Sequence, residues 1–181
     1  MKRAALVLAI MVMAGLSQSA FAQRAGEKWV VAWAASIQGP YPVGNPSAQP
    51  DQKLAFPSAE EGANDQTFRL VLRPDIWGRQ ARLRFSNVLG SRPLTLDAVF
   101  VGMQLGGPAL IKDSNRPVSF GGNSAVTIAP GSSVWSDPVT LAVRDPGLPE
   151  LAGRKLAVSF HVVGNSGPMT WHAKALQTSY L

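Results

Sequence analysis

Two stretches of this chain leave little freedom in what it can fold into. Gln66-Thr67-Phe68-Arg69-Leu70-Val71-Leu72-Arg73 and Gln80-Ala81-Arg82-Leu83-Arg84-Phe85-Ser86-Asn87 each carry an apolar side chain at every second residue. A period of two is the signature of a strand with one buried face. Phe68, Leu70 and Leu72, then Ala81, Leu83 and Phe85, define that dry face. Thr67, Arg69, Arg73, Arg82, Arg84 and Ser86 fall on the other. The link Pro74-Asp75-Ile76-Trp77-Gly78-Arg79 contains turn formers and has hairpin length. The expectation is an antiparallel hairpin with one dry face and one arginine-rich face.

Strand signals continue along the chain. Trp29–Ala35 reads as a buried strand. Leu94–Val101 reads as another and ends at Gly106-Gly107-Pro108. Ala125–Ile128, Val139–Val143 and the clean alternation of Lys155–Val163 follow. Trp171–Tyr180 is a weaker last segment. Turns are expected at Ser86–Gly90, Phe120–Asn123 and Pro130-Gly131, and Ser136-Asp137-Pro138 interrupts one extended stretch. Gly39–Gly62, with Pro40, Pro42, Pro46, Pro50 and Pro57, reads as a long loop. No stretch after residue 23 has the period of a three-turn amphipathic helix. Short strands at roughly ten-residue spacing predict an all-β fold, an antiparallel β-sandwich of jelly-roll-like form.

The first residues stand apart. Met1-Lys2-Arg3 is basic, Ala4–Leu16 is apolar, and Ser19-Ala20-Phe21-Ala22 places small residues before Gln23. Residues 1–22 therefore read as a secretory signal peptide cleaved after Ala22. The apolar run is shorter than the roughly 20 residues of a spanning helix. The expectation is export to the periplasm or beyond, with no membrane span, and one sandwich domain over residues 23–181. The formal charge of +6 falls to +4 without Lys2 and Arg3. It is spread thinly, which argues against nucleic acid as a partner. There is no cysteine, so cysteine nucleophiles and cysteine-based zinc sites are excluded.

Residues suited to chemistry are sparse. His161 and His172 are the two histidines, and neither has Asp, Glu or His at metal-ligand spacing. His161 reads as a solvated strand residue. Gly164-Asn165-Ser166-Gly167 resembles a nucleophile elbow, but Pro168 stands where the second glycine is required. It reads as a polar turn. Asp137, in Ser-Asp-Pro, reads as an Asx-type turn stabiliser or the start of an edge strand. No phosphate loop or dinucleotide fingerprint is present. No catalytic residue, metal ligand or cofactor site is assigned.

Binding residues are easier to nominate. Trp77 lies at the tip of the expected hairpin, either as an exposed platform for a sugar or partner or folded back on its own sheet. Trp29, Trp33, Trp135 and Trp171 read as core or edge packing. Arg69, Arg73, Arg82 and Arg84 form the expected arginine face. Asp97, Asp51, Glu60 and Glu61 are the acids within the chain that could partly satisfy it.

The ordered set Trp29–Ser36, Gln66-Thr67-Phe68-Arg69 through Arg73, Phe85-Ser86-Asn87-Val88-Leu89-Gly90, Phe120-Gly121-Gly122, Pro130-Gly131, Ser136-Asp137-Pro138-Val139, Leu156-Ala157-Val158-Ser159, Trp171-His172-Ala173 and Thr178-Ser179-Tyr180 resembles the N-terminal β-sandwich region of secreted GDSL-type (SGNH) lipases and esterases. The resemblance spans nearly all of residues 23–181. It implies a C-terminal α/β hydrolase domain as partner, carrying a Gly-Asp-Ser nucleophile block, oxyanion-hole Gly and Asn, and an Asp-x-x-His pair. None of those blocks occurs here, so the resemblance assigns no catalytic residue. It implies a non-catalytic accessory domain, or a truncated fragment, that positions or extends the hydrolase cleft for an acyl ester substrate. A free-standing carbohydrate-binding module and an envelope structural or interaction protein are the other readings. An exposed row of aromatics would favour the first of these two.

Overall fold

A computed structural model describes residues 28–40, 55–56, 58–171 and 178–181. Residues 1–22, expected to be a signal peptide, most of the proline-rich loop with Asp51, and His172 lie outside the described residues. The chain divides into two units, Met1–Val30 and Val31–Leu181. Of the first, residues 28–30 are described and carry no regular secondary structure. Every described strand belongs to the second.

The strands are β1 (Gln38–Pro40), β2 (Asn64–Leu72), β3 (Gln80–Ala81), β4 (Arg84–Asn87), β5 (Leu94–Gly106), β6 (Ala109–Leu110), β7 (Arg116–Pro117), β8 (Val126–Ile128), β9 (Ser132–Trp135), β10 (Val139–Thr140), β11 (Leu156–Asn165), β12 (Thr170–Trp171) and β13 (Ser179–Tyr180). Among the described residues the one helical element is a single 3-10 turn at Pro149–Leu151. No described helix is long and apolar enough to cross a membrane. The fold is an all-β antiparallel sandwich.

Its first sheet has the order β13-β2-β11-β5-β6, with β7 and β8 also on β5. β11 is the central strand. Leu156, Val158 and Phe160 stand opposite Leu72, Leu70 and Phe68 of β2, and Leu156 and Val158 opposite Met103 and Val101 of β5. These side chains form the inner face. Between Ser159 and His161 the register with β5 slips by one residue, because Ala98 and Val99 together face Phe160. Ala98 takes the left-handed backbone, φ 45°. This β-bulge lets both Leu96 and Val99 point inward, where they are 1% and 2% exposed.

The second sheet is built from short ladders. β4 pairs with β9, and β3 with β10. Between them Leu83 and Ser136 exchange backbone and hydroxyl bonds: Ser136 N–H donates to the Leu83 carbonyl (2.8 Å), and Leu83 N–H donates to Ser136 Oγ (2.9 Å). The register shifts by one residue from Arg84↔Trp135 to Ala81↔Val139. Ser136-Asp137-Pro138 is thus a second bulge, which agrees with the interruption expected there.

The two sheets meet through aromatic rings. Phe160 of the first lies 5.6 Å from Phe68 and 5.8 Å, edge to face, from Phe85 of the second. Phe85 also meets Phe120 at 5.8 Å. Val99, Val101, Ile128, Val139, Leu141 and Val162 fill the space around them.

The expected hairpin does not exist. β2 pairs with β11 and β13, whereas β3 and β4 pair with β10 and β9. Residues 74–79 carry the chain from one sheet to the other. The inner-face assignment survives this correction, because each strand's alternation is a property of that strand alone. The expected strand over Trp29–Ala35 is also absent, and residues 28–37 form none. A run apolar on both faces needs cover on both, and Val31, Trp33 and Ile37 are exposed.

Candidate functional site

The four nominated arginines divide between two surfaces. Arg69 lies on the outer face of the first sheet. Its Nε donates to Ser159 Oγ (2.8 Å) and its Nη1 to the Pro108 carbonyl. Arg73 is exposed just beyond β2. Arg82 and Arg84 belong to the second sheet. The single arginine face is therefore corrected to two: strands that follow each other in sequence entered different sheets.

On the first sheet's outer face, polar groups satisfy one another. His161 Nδ1 meets Asp97 Oδ1 at 2.8 Å, across the β11–β5 pair. A carboxylate only accepts, so Nδ1 carries the proton. Asp97, expected to help neutralise arginines, is held by histidine instead. Thr95 and Thr127 hydroxyls bond at 2.8 Å. Among the described residues no hydroxyl bonds the other ring nitrogen of His161, so the Asp–His pair activates no serine. No group of three metal-ligating side chains occurs among the described residues.

Ser166 is buried and structural. Its Oγ accepts from Ala63 N–H (3.0 Å) and donates to the Gly167 carbonyl (2.7 Å). This clasp requires backbone to touch backbone: a Cβ on Gly62 would stand 1.9 Å from the Gly167 oxygen. Asp137 is equally committed. Its carboxylate accepts from Ser119 Oγ (2.7 Å) and from the Gly122 and Gly121 N–H groups (2.8 and 3.0 Å). Gly121 and Gly122 have φ of 59° and 84°, which turns two successive N–H groups toward one anion. The Gly122 bond and then the Ser119 hydroxyl hold this carboxyl below the usual range against the opposing effect of burial, with smaller help from the Gly121 bond and the charge of Arg82.

Trp77 is half-buried and packs against the core. Of the two readings of Trp77, the exposed platform gives way to the one in which it packs on the protein, because the link passes between the two sheets instead of projecting as a hairpin tip. Trp29, Trp33 and Trp135, all expected to be packing, are instead exposed, and Trp135 is the most so, at 51%. It lies directly opposite Arg84. The guanidinium carbons of Arg82 and Arg84 lie 5.6 and 5.7 Å from its ring centre. Arg82 Nε donates to the Ser136 carbonyl (3.0 Å), and Arg84 Nε and Nη2 both reach Ser133 Oγ (3.2 and 3.0 Å). The sequence signal was there in Ser133-Val134-Trp135: Val134 packs on the core, so Trp135, one residue on, had to face out with Ser133.

Comparison with known proteins returns no match, either to a family model or to a curated relative.

Proposed function

We propose that this chain is the non-catalytic accessory β-sandwich of a secreted GDSL-type ester hydrolase, positioning or extending the substrate cleft of the hydrolase domain. The observation that supports the non-catalytic reading is that, among the described residues, the hydrolase-type groups Ser166, Asp137 and His161 are committed to structure. Ser166 is buried in a clasp, Asp137 is enclosed by three donors, and His161 is held by Asp97 with no hydroxyl on its other nitrogen. A nucleophile needs a base within hydrogen-bond reach, and that base needs an orienting group. Among the described residues, the base and its orienting carboxylate occur without a nucleophile.

The assignment to an ester hydrolase rests on the ordered resemblance of the sequence, with which an antiparallel sandwich agrees. The test is reconstitution. The purified chain should not turn over short acyl esters. Mixed with a separately produced Gly-Asp-Ser hydrolase domain that lacks its own sandwich, it should form a one-to-one complex in analytical ultracentrifugation. It should also raise activity on a polymeric ester more than on a soluble short one. Absence of a complex would overturn the assignment, and turnover lost on Ser166→Ala or His161→Ala would overturn the non-catalytic reading.

A further inference from the structure

Val31-Ala32-Trp33-Ala34-Ala35-Ser36-Ile37 is an apolar run that the fold leaves uncovered. We infer that this segment is a self-association strand: it pairs with the same segment of a second copy, antiparallel about Ala34, and makes a two-fold symmetric dimer. The inference does not rest on the ester-hydrolase reading.

The segment runs without helix, turn or bend, and none of its residues has positive φ. The Ala32 carbonyl accepts from Asp75 N–H (2.9 Å), and no other backbone group of residues 31–37 has a partner among the described residues. In an extended chain successive residues turn their N–H and C=O groups to opposite edges. Ala32, Ala34 and Ser36 therefore face the edge held by Asp75, and Val31, Trp33, Ala35 and Ile37 face a free one. A free edge is a template for another strand, and exposed edges ordinarily carry a charge, a proline or a bulge that blocks it. This one carries none. No charged residue occurs between Lys28 and Asp51, and the first proline after the segment is Pro40.

The side chains say which strand fits. Val31 is 75% exposed, Ile37 42% and Trp33 38%, and with Ala35 they share one face of an extended chain. Pairing about Ala34 sets Val31 opposite Ile37 and Trp33 opposite Ala35, each twice by symmetry. Both pairs lie on the free edge, so both exchange backbone hydrogen bonds. An indole meets a methyl group, two aliphatic side chains meet each other, and no like charges are opposed. A register about Trp33 would instead oppose two indoles. This match of the segment to its own reverse, with no charge to read a different partner, favours a second copy. The pairing closes after two copies, because the other edge is held by Asp75. Covering the exposed parts of both segments removes on the order of 1,000 Å², the lower limit for a specific interface. The dimer is therefore weak, with a Kd on the order of tens of micromolar.

Sedimentation velocity of the purified chain from about 1 to about 300 μM tests the inference. The protein should pass from monomer to dimer and stop there. Ala35→Lys, at an exposed position, should move the midpoint at least tenfold higher in concentration with the melting temperature little changed. Val31→Lys and Ile37→Glu should each weaken the dimer, and the double variant should regain it, because the register brings the two new charges together across the axis. The chain has no cysteine, so Ala34→Cys should give a disulfide-linked dimer on mild oxidation, position 34 facing its own copy across a closely spaced pair. Val31→Cys, roughly 20 Å from its symmetry mate, should not. A monomer throughout, open-ended oligomers, or a dimer indifferent to Ala35→Lys would overturn the inference. So would linkage by Val31→Cys as ready as by Ala34→Cys. If Ala35→Lys abolished a complex with a hydrolase domain while the chain alone stayed monomeric, the segment would be a contact for that domain and the inference would fall. Should Ala35→Lys melt early, the double-variant rescue decides.

Discussion

The two sheets solve the same problem in different ways. The first is built on strands of nine, thirteen and ten residues, β2, β5 and β11, and its outer face closes on itself. Arg69 bonds Ser159, His161 bonds Asp97, and Thr95 bonds Thr127, while Val71 and Ala157 are buried. The second is assembled from pieces of two and four residues and leaves Trp135 and Arg84 facing out. Long ladders position side chains well enough to pair them across strands. Short, bulged ladders end that internal matching, and surface chemistry is left over for something else. One sheet is the frame and the other is the face.

The strongest challenge to that division is a change that strikes both sheets at once. Phe160 comes from the frame but touches Phe85 of the face, and is 9% exposed. Phe160→Ala should cost about 3–5 kcal/mol, the range for truncating a buried aromatic. Urea unfolding followed separately by far-ultraviolet dichroism and by tryptophan fluorescence should give one coincident transition. Two separated transitions would show that the second sheet is stable without the first, and the frame-and-face picture would have to be abandoned.

A sharper contrast lies between two arginines. Arg69→Ala leaves the buried Ser159 hydroxyl without its partner, and an unsatisfied buried group costs about 1–3 kcal/mol. Arg84→Ala removes bonds to a serine on an exposed surface and should cost under about 0.5 kcal/mol. Paired denaturant titrations measure the difference. Equal losses would mean that the second sheet relies on Arg84 as structure.

The junction within the second sheet carries a pH signature. Asp137 titrates below the ordinary carboxylate value because its charged form accepts three bonds. A depressed folded-state pKa contributes stability above the unfolded value, about 3.9, and that contribution fades as pH falls through the folded value. Asp137→Asn should cost about 1 kcal/mol at neutral pH, the low end for charge-assisted bonds because the group is partly exposed. Wild type and variant should converge once pH falls below the depressed folded value. Melting temperatures from pH 2 to 7 check this, and a constant gap across that range would remove Asp137 as the source.

Much of this was legible in the sequence, and the rest failed for identifiable reasons. The inner faces of β2 and β11 follow from period-two alternation, and the turns at Phe120–Asn123 and Pro130-Gly131 follow from glycine and proline chemistry. Strand partners did not follow. The six-residue link after Arg73 suits a hairpin or a crossover equally, and only the long-range pairing of β2 with β11 decides. The arginine face failed for the same reason: its members are adjacent in sequence but not in any sheet. Trp135 departs from tryptophan's general burial tendency because local alternation with the core-packed Val134 turns it outward. The Asp97–His161 pair lies 64 residues apart and needed a register that no local pattern encodes.

The smallest effect sits at the bulge that sets that register. Ala98 is exposed and has φ of 45°, a conformation in which Cβ crowds the following carbonyl at a cost of roughly 1–2 kcal/mol. Glycine adopts it without that clash but gives up more chain entropy on folding, about 0.5–1 kcal/mol relative to alanine. The balance favours glycine, so Ala98→Gly should stabilise the fold by about 0.5 kcal/mol, while the β-branched Ala98→Val should destabilise it by more than about 1 kcal/mol. Both are read from denaturation midpoints at constant slope. The mechanism behind the expected gain is that the bulge, once unstrained, still holds Leu96 and Val99 inward and Asp97 against His161. Valine tolerated as well as glycine would mean that this strand runs without the bulge, with β5 in a different register and the frame sheet's cross-strand pairs redistributed.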